Sequence, residues 1–288
     1  MLITGSSGFI GSALKPRLLA AGHHFESLRR GPAWDPPAGR IDPAAVEGFD
    51  AVVHLAGEGI GDHRWSAAHK RRVLDSRVNG TTALARALAQ RAEKPAVLIS
   101  ASGIDYYEDR GDEPVTEESG RGDDFLAEVC VAWEAATAPA DEAGIRVVHL
   151  RTGLVLGPGG GALKSMLRIF KLGLGGRLGS GRQYWSWITL DDEVGAIVHA
   201  LEHAAVTGPL NAVAPAPVTN AEFTATLARV LHRPAVLRVP RAALAVRFGA
   251  EMTDAMLLTG QRVLPAKLEA TGYEFRHPEL EGALRSML

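Results

Sequence analysis

Cysteine is almost absent from the 288-residue chain, which carries only Cys130. One cysteine excludes an internal disulfide framework and fits a reducing compartment. No stretch approaches the roughly 18 consecutive apolar residues that a membrane span needs. Glycine and serine enter at Gly5, where the apolar region of a secretory signal peptide would continue. We therefore expect a soluble, cytoplasmic protein that has no membrane partner.

An excess of charge of either sign is also missing, because 31 Lys and Arg face 33 Asp and Glu and the net charge is −2. A polyanion needs a basic surface, so we do not expect nucleic acid as a partner. We recognise no cluster of the ten histidines and the cysteine that suits zinc, and we predict no metal site. The expected partner is a small-molecule substrate, and a homodimer stays open as an alternative.

Strand-like and helix-like segments alternate through the first half of the chain. The predicted strands are Met1–Thr4, Phe25–Leu28, Ala51–Leu55, Ala96–Ser100 and Arg146–Leu150. The predicted helices are Ser12–Ala21, Ser66–Arg91 and Asp123–Ala138, the last ended by Pro139. This alternation favours βαβ units with right-handed crossovers, and therefore an α/β fold with a Rossmann-type, doubly wound parallel sheet.

The pattern changes beyond residue 151, since glycines crowd into positions 157–181 and apolar strands become scarcer. We predict a helix over Asp191–Ala204, with its two aspartates as N-cap, and a strand over Leu210–Val213. Both elements are expected to belong to the Rossmann sheet and its covering helices. Another helix is predicted over Asn220–Leu231. We predict a Rossmann domain over residues 1–155, whose sheet is completed by 189–213, and a smaller C-terminal lobe over 156–288 that binds substrate.

Three glycines at a spacing of three, Gly5, Gly8 and Gly11, lie between the first strand and the first helix. The first glycine allows a tight turn, the second lets the backbone approach a pyrophosphate, and the third lets the helix pack on the strand. The helix N-terminus adds free N–H groups and a partial positive charge. The pattern predicts a dinucleotide site rather than an ordinary glycine turn. The predicted contacts in this loop are Gly5, Ser7, Gly8, Phe9, Ile10 and Gly11.

The end of the second strand favours one dinucleotide over the other. NAD-binding folds place Asp or Glu about 20 residues after the glycine loop, where it holds the ribose 2′-OH. This chain has Arg29 followed by Arg30 at that position. A guanidinium pairs with a 2′-phosphate, which a carboxylate would repel. We predict NADP(H) as the cofactor, with a merely solvated pair of strand-end arginines as the alternative.

Motifs spread over the whole chain carry a family resemblance. They are Gly5–Gly11, Leu55–Glu58, Ser76–Val78, Ser100–Ser102, Tyr106–Tyr107, Cys130–Glu134, Leu150–Gly153, Gly173–Gly176, Gly179–Gln183, Trp187–Asp192, Val218–Asn220 and Gly260–Pro265. With them the chain resembles the extended short-chain dehydrogenases/reductases. It is most similar to their atypical NAD-dependent epimerase/dehydratase subgroup, which is sugar-nucleotide epimerase-like and has a C-terminal domain of unknown function.

The resemblance implies further cofactor contacts. Leu55, Ala56 and Gly57 would line the adenine-ribose part of the cofactor. Arg77 would contact the cofactor from the helix after that strand, and Val155 would lie near the nicotinamide. The contacts implied in this way are Leu55, Ala56, Gly57, Arg77, Ser100 and Val155.

The Tyr-x-x-x-Lys pair of ordinary members of the superfamily is missing. A tyrosine needs a nearby cation to exchange protons at neutral pH, and a lysine four residues later on the same helix face supplies it. The residues four positions after the chain's four tyrosines are Arg110, Gly111, Ile188 and His277. Aligning the helix on Glu134 places Leu126 at the tyrosine position and Cys130 at the lysine position. The usual proton relay is therefore absent.

Two residues remain as catalytic candidates. Ser102 matches the superfamily's serine position and could hydrogen-bond a substrate carbonyl, or it is a serine of a strand-end turn. Tyr106 is the best remaining acid or base, or it forms a wall of the substrate pocket. Cys130 is more typical of an inert buried helix residue than of a nucleophile.

Four further residues are predicted to contact substrate. Arg182 and Gln183 belong to a glycine-rich loop that resembles the substrate loop of sugar-nucleotide enzymes, where an arginine could meet a diphosphate. Aromatic side chains between the lobes suit a pocket wall, although core packing explains them equally well. The predicted substrate contacts are Tyr107, Arg182, Gln183 and Trp187.

The sequence leaves two hypotheses about function. The favoured one is an NADP(H)-dependent oxidoreductase or epimerase that acts on a carbonyl or nucleotide-sugar-type substrate. The alternative is a non-catalytic NADP(H)-binding sensor or assembly protein, and its motivation is the missing Tyr/Lys pair.

Overall fold

A computed structural model describes residues 1–288, in which sixteen strands and eleven helices follow one another along the chain. The strands are β1 (Leu2–Thr4), β2 (Glu26–Leu28), β3 (Trp34–Asp35), β4 (Arg40–Ile41), β5 (Ala51–His54), β6 (Val97–Gly103), β7 (Pro114–Val115), β8 (Arg146–Thr152), β9 (Leu154–Leu156), β10 (Gly176–Leu178), β11 (Tyr184–Trp185), β12 (Trp187–Thr189), β13 (Gly208–Ala212), β14 (Val218–Thr219), β15 (Leu237–Val239) and β16 (Arg262–Val263).

The helices are of unequal length, and none is both long and apolar enough to cross a bilayer. They are α1 (Phe9–Ala20), α2 (Ala67–Ala89), α3 (Phe125–Ala135), α4 (Ala138–Glu142), α5 (Gly161–Lys171), α6 (Leu190–Glu202), α7 (Asn220–Leu231), α8 (Arg241–Phe248), α9 (Ala250–Thr253), α10 (Ala266–Ala270) and α11 (Leu280–Met287). A π-helical turn, Asp254–Leu258, extends α9.

Six parallel strands form the central sheet, in the order β2-β1-β5-β6-β8-β13. This confirms the predicted α/β fold with a doubly wound, Rossmann-like sheet. The strand order reverses between β1 and β5, because the chain proceeds outward from β1 to β2 on one side and from β5 to β13 on the other. Ligands of such sheets bind outside the carboxyl ends of the strands at this switch point.

Apolar side chains cover both faces of the sheet, because successive residues of a strand point to opposite sides. One face packs against α1 and α6 and carries Ile3, Val53 and Ile99. The opposite face packs against α2 and α4 through the neighbouring residues of the same strands. Both faces are therefore closed to water, and the ends of the strands remain for a site.

Several element boundaries differ from the predicted ones. Helix α1 begins at Phe9, three residues before the predicted start, so that Gly8 is its N-cap. Helix α3 ends at Ala135, and Pro139 lies in the first turn of the separate helix α4 instead of ending α3. Proline fits there because its missing N–H would have no helical partner in a first turn.

The N-cap of α6 is Thr189 and not Asp191 or Asp192. The Thr189 hydroxyl accepts a hydrogen bond from the backbone N–H of Asp192, and both aspartates lie in the first turn. The correction follows from the strand β12, which ends at Thr189 and delivers its side chain to the capping position.

The buried Asp192 carboxylate joins α6 to the chain's C-terminal segment. It accepts hydrogen bonds from the Tyr273 hydroxyl at 3.1 Å and from the backbone N–H groups of Arg276 at 2.8 Å and His277 at 3.1 Å. The Thr189 hydroxyl donates a further bond at 2.9 Å. Four donors stabilise the charged form in the interior, where a bare carboxylate would be costly.

The C-terminal residues form a second core beside the sheet. Helices α5, α7 and α11 pack around Trp187 and Phe223, with Leu156 from the end of β9. Short strand pairs brace this lobe, namely β9 with β12, β10 with β15 and β11 with β14. Strand β7 of the first half pairs with β16 of the last third, so the two parts of the chain are interleaved.

We predict that Asp192→Ala lowers the free energy of unfolding by about 3–5 kcal/mol, because it leaves buried donors without an acceptor. Urea unfolding of the variant measures this loss. The matched control is Asp191→Ala, since the exposed Asp191 carboxylate lies 3.6 Å from Arg276 and such surface pairs contribute under about 1 kcal/mol. Equal losses in the two variants would contradict the assignment.

Candidate functional site

The loops after β1 and β5 meet at the switch point of the sheet with no room for a side chain between them. Gly5 has φ of 68°, and a Cβ there would lie 2.7 Å from the carbonyl carbon of Leu55. A Cβ on Gly11 would lie 2.4 Å from the carbonyl oxygen of Gly5. Glycine is therefore required at both positions, and the backbone itself forms the floor of a cradle.

The N-terminus of α1 opens into this cradle. Its N-cap is Gly8, no side chain caps the helix, and the first turn holds no acidic residue. The first N–H groups of a helix carry a partial positive charge and need acceptors. An exposed Ser7 and Gly8 leave access for a ligand. The arrangement fits a phosphate group, as the glycine spacing predicts.

The Phe9 ring fills a space that a second glycine-rich loop leaves beside the helix. A Cβ on Gly157 would lie 2.8 Å from the ring and one on Gly160 would lie 2.5 Å from it. Phe9 thus contacts the loop after β9 with its side chain, while its backbone belongs to the cradle. Ile10 is half-buried and packs on the sheet core.

Arg29 and Arg30 follow directly after β2, which pairs with β1. Both side chains are exposed, and neither forms an ion pair within the chain. They lie at the carboxyl edge of the sheet, on the β2 side of the cradle. Two free guanidinium groups at this edge can meet an anion.

A chain of hydrogen bonds supports the cradle from below. Thr4 and His54 end β1 and β5, and the Thr4 hydroxyl lies 2.6 Å from Nδ1 of His54. His54 Nε2 lies 2.9 Å from the hydroxyl of Thr81 on α2, which accepts a bond from the indole N–H of Trp133 on α3. Burial lowers the pKa of His54 from 6.5 to about 4, so the imidazole is neutral.

The guanidinium of Arg77 lies against Gly57, where a Cβ would come within 3.3 Å of it. It donates hydrogen bonds to the carbonyl oxygens of Glu58 at 2.9 Å and Val73 at 3.2 Å, and it lies 4.7 Å from the centre of the Trp133 ring. The side chain is 7% exposed, and its Nε has no partner. Burial lowers the pKa of Arg77.

Ser102 and Arg151 are direct neighbours on β6 and β8. Both contact the carboxylate of Glu134 on α3, to which Ser102 donates a hydrogen bond at 2.7 Å. Arg151 donates two bonds to the same carboxylate, both at 2.8 Å. This bidentate ion pair lies at the carboxyl end of the sheet and holds the serine in place.

The two adjacent tyrosines after β6 differ in their surroundings. Tyr107 is fully buried, its hydroxyl accepts a bond from Arg151 and donates one to Asn211, and burial raises its pKa to about 12. Tyr106 is half-buried, and the Arg151 guanidinium lies 3.4 Å from the centre of its ring. Only Tyr106 keeps a hydroxyl that is not committed to the core.

Comparison with known families matches residues 1–212 to the NAD dependent epimerase/dehydratase family. The match spans well over half of the chain. It includes the cradle, Arg77 and the contact of Ser102 and Arg151 with Glu134. The chain belongs to the NAD-dependent epimerase/dehydratase family. Residues 239–287 match a domain of unknown function, DUF1731, which covers α8 to α11.

Relatives in the epimerase/dehydratase family resemble the chain over its full length. An epimerase family protein of Mycobacterium bovis is 47% identical, over 98% of this chain and 95% of the relative. The crystal structure of the human epimerase family protein SDR39U1 with NADPH is 40% identical, with a TM-score of 0.92 over 99% of this chain and 98% of that chain. A nucleoside-diphosphate sugar epimerase of Corynebacterium glutamicum is 38% identical, with a TM-score of 0.82 over 100% of this chain and 57% of that chain.

Helix α3 is where the sequence analysis predicts that the superfamily's Tyr/Lys pair is missing. Leu126 and Cys130, which the alignment on Glu134 places at the tyrosine and lysine positions, are both buried. Burial raises the pKa of the Cys130 thiol, and the carboxylates of Asp105 and Glu134 raise it further. The thiol therefore stays protonated and cannot supply the positive charge of a lysine.

Two of the predicted substrate contacts belong to the core. Trp187 is fully buried in the core of the C-terminal lobe, and its indole N–H donates to the carbonyl oxygen of Ala216 at 2.9 Å. Tyr107 is enclosed with both hydroxyl bonds satisfied by Arg151 and Asn211. Neither side chain offers a surface to a substrate, and the structure assigns both to packing.

The other two predicted substrate contacts lie in the loop between β10 and β11. Arg182 is exposed. The Gln183 amide donates bonds to the carbonyl oxygens of Leu178 and Leu257 and thereby joins this loop to the π-helical turn. Gln183 Oε1 is buried without a partner. Their contact with a substrate stays a prediction.

The remaining predicted cofactor residues lie at the carboxyl ends of the strands. Ser100 is buried in the middle of β6, Val155 is half-buried on β9, and the half-buried Leu55 and Ala56 form the wall against Gly5. Their roles toward a cofactor stay predictions, as do the catalytic roles of Ser102 and Tyr106.

Sequence reasoning missed the residues that support the site. It used Glu134 only to align the helix and gave no role to His54 or to the side chain of Arg151. It also overlooked the His-x-x-x-His spacing of His199, on α6, and His203, the C-cap of that helix. Their rings stack at 3.9 Å, and no third ligand forms a metal cluster with them.

We predict that the protein loses stability at acid pH through His54. The unfolded chain takes up a proton near pH 6.5, whereas the folded chain takes it up near pH 4. The stability held above pH 6.5 is therefore lost progressively as the pH falls toward 4, by about 3 kcal/mol. Urea unfolding at several pH values in this window measures the slope.

His54→Asn removes this titration and should flatten the pH dependence. His24→Asn is the matched control, because His24 is exposed. An unchanged slope in His54→Asn would show that another group causes the acid loss.

Proposed function

We propose that this protein binds NADP(H) at the carboxyl edge of its sheet. The observation that carries the proposal is the side-chain-free cradle at Gly5 and Gly11 with two unpaired guanidinium groups beside it. The uncapped N-terminus of α1 would hold the pyrophosphate, and Arg29 and Arg30 would hold the 2′-phosphate. The human relative whose crystal structure contains NADPH supports the phosphorylated form.

We further propose that the protein is an oxidoreductase or epimerase for a carbonyl or nucleotide-sugar-type substrate. When bound, the nicotinamide supplies hydride transfer. The chain's own residues bind and orient the reactants and move the proton. Ser102, near the end of β6, would hydrogen-bond the reacting oxygen after leaving Glu134. Tyr106, whose hydroxyl is uncommitted, would exchange the proton beside the positive charge of Arg151.

A second candidate function is a non-catalytic NADP(H)-binding sensor or assembly protein. The observation in its favour is that Glu134 already occupies the Ser102 hydroxyl, at 2.7 Å. The buried Cys130 at the lysine position leaves no cation on α3 to complete a relay. Such a protein would bind the cofactor tightly and turn over nothing.

We predict that the double variant Arg29→Ala with Arg30→Ala weakens NADPH binding by about 10- to 100-fold, because charge-assisted bonds contribute roughly 1.5–3 kcal/mol. NADH binding should change little, since NADH has no 2′-phosphate. Calorimetry with both nucleotides measures the ratio. The control is Arg285→Ala on α11, an exposed arginine remote in sequence from the loop. An unchanged NADPH/NADH preference in the double variant would refute the assignment.

We predict that Tyr106→Phe lowers turnover by about 10²- to 10⁴-fold, the range typical of a lost general acid or base. Cys130→Ala should retain most of the turnover, because the buried thiol is not ionised. NADPH oxidation is measured across a panel of carbonyl compounds and nucleotide sugars. Tight NADPH binding with no turnover across the panel would favour the sensor or assembly protein instead.

A further inference from the structure

Asp105 is a carboxylate near the proposed cofactor site that the mechanism above does not use. It lies in the short 3₁₀ turn Ile104–Tyr107, directly after β6. The side chain is half-buried, and its hydrogen bond is with its own backbone N–H. No other residue engages the carboxylate, so it is free to face a ligand.

Two side chains come close to Gly103, the last residue of β6. A Cβ built on Gly103 would lie 3.4 Å from Asp105 Oδ2 and 3.5 Å from Cys130 Sγ. Cys130 stands at the position that a lysine has in the superfamily. The carboxylate of Asp105 and the residue at the lysine position are thus both neighbours of Gly103.

The charged groups that face Asp105 come from two helices. Arg77 acts on it from α2, Asp124 acts on it from the N-cap of α3, and the neutral Cys130 thiol of α3 also lies nearby. Glu58, after β5, faces Arg77. Asp105 is not within ion-pair distance of Arg77, so its charge is not neutralised by direct contact.

Arg77 gives an independent sign that a ligand belongs here. The side chain is 7% exposed, and its buried Nε has no hydrogen-bond partner. A buried donor without a partner is costly, and a bound ligand with oxygen acceptors would satisfy it. The unpartnered Nε therefore makes Arg77 a candidate for contact with a bound ligand.

The direction of the proposed cofactor brings its nicotinamide end toward Asp105. The phosphate cradle lies at β1, and the free arginines for the 2′-phosphate lie at β2, on one side of the switch point. The other end of the dinucleotide then extends over β6 and β8, and Gly103 and Asp105 lie at the end of β6. This step rests on the proposed function.

We propose that Asp105 lies beside the nicotinamide ring and favours the oxidised over the reduced cofactor. The ring of NADP⁺ carries a positive charge, whereas the ring of NADPH is neutral. A carboxylate at short range attracts only the charged ring, and the attraction is strong in a cleft shielded from water. The protein would thereby set the ratio of the two bound forms, whether or not it turns over a substrate.

The preference should depend on pH. Burial and the nearby Asp124 carboxylate together raise the pKa of Asp105 to about 6, against the opposite effects of its backbone hydrogen bond and of Arg77. The carboxylate is charged above this pH and neutral below it. The preference for NADP⁺ therefore grows as the pH rises through about 6. The 2′-phosphate is present in both forms, so its own titration cancels in the ratio of their affinities.

The test compares the Kd of NADPH with the Kd of NADP⁺ on the full chain, by calorimetry at several pH values on both sides of 6. We expect the ratio Kd(NADPH)/Kd(NADP⁺) to rise about tenfold from the acid to the alkaline side. In Asp105→Asn, the ratio should stay at every pH at the value that the wild type has on the acid side. A ratio in Asp105→Asn that follows the wild type throughout would overturn the inference.

Two further variants keep the test decisive. Asp124→Asn retains a good N-cap for α3 but removes the charge that raises the pKa of Asp105, so the change in ratio should move to lower pH. Asp109→Asn, an exposed residue of the following loop, should behave as the wild type. An Asp124→Asn curve identical to the wild type would count against the role of Asp105.

The outcome also separates this inference from the proposed function. If neither NADP⁺ nor NADPH binds to the wild type, the proposed function fails and the inference fails with it. If both bind with a ratio that does not change with pH, the proposed function survives and only the role of Asp105 is lost.

Discussion

The contact between two backbones at the sheet's switch point governs the rest of the site. Gly5 lies against Leu55 and Ala56, and a Cβ on Gly5 would come within 2.7 Å of the Leu55 carbonyl group. This contact brings the end of β1 and the end of β5 together, and the N-terminus of α1 can then point into the gap between them. His54 and Thr4 maintain the same junction from inside the protein. Every proposed cofactor contact is placed relative to this junction.

Arg151 is the cation that the structure places beside Tyr106. The alignment on Glu134 puts a buried thiol, Cys130, at the superfamily's lysine position. The guanidinium of Arg151 is held by Glu134 and lies against the Tyr106 ring. Arg151 belongs to a strand of the sheet rather than to a helix. Its charge is therefore held in a fixed position beside Ser102.

Local features of the sequence were sufficient to predict the fold and the cradle. The glycine spacing acts within seven residues, and the alternation of strands and helices determines a parallel sheet, so neither needs distant information. The support of the site could not be predicted in the same way. Tyr107 meets Asn211 across 104 positions, and Ser102 meets Glu134 across 32 positions. Such partners are known only once the register of β6, β8 and β13 is fixed.

Burial was the other quantity that residue types did not reveal. Aromatic residues suit a pocket wall and a core equally well, and Trp187 and Tyr107 proved to be core residues once their hydrogen-bond partners were known. The start of α1 was predicted three residues late, because Phe9 and Ile10 were counted as loop. Their helical backbone is what brings the helix terminus up to Gly8.

The pairing of β7 with β16 has a consequence for how the molecule is made. Pro114 and Val115 pair with Arg262 and Val263, which follow almost 150 residues later. During synthesis, strand β7 therefore leaves the ribosome unpaired and stays so until β16 has emerged. Contacts of such long sequence separation slow folding and prolong the exposure of unpaired strands. Removal of the C-terminal segment would deprive the sheet domain of a strand partner as well as of a neighbouring lobe.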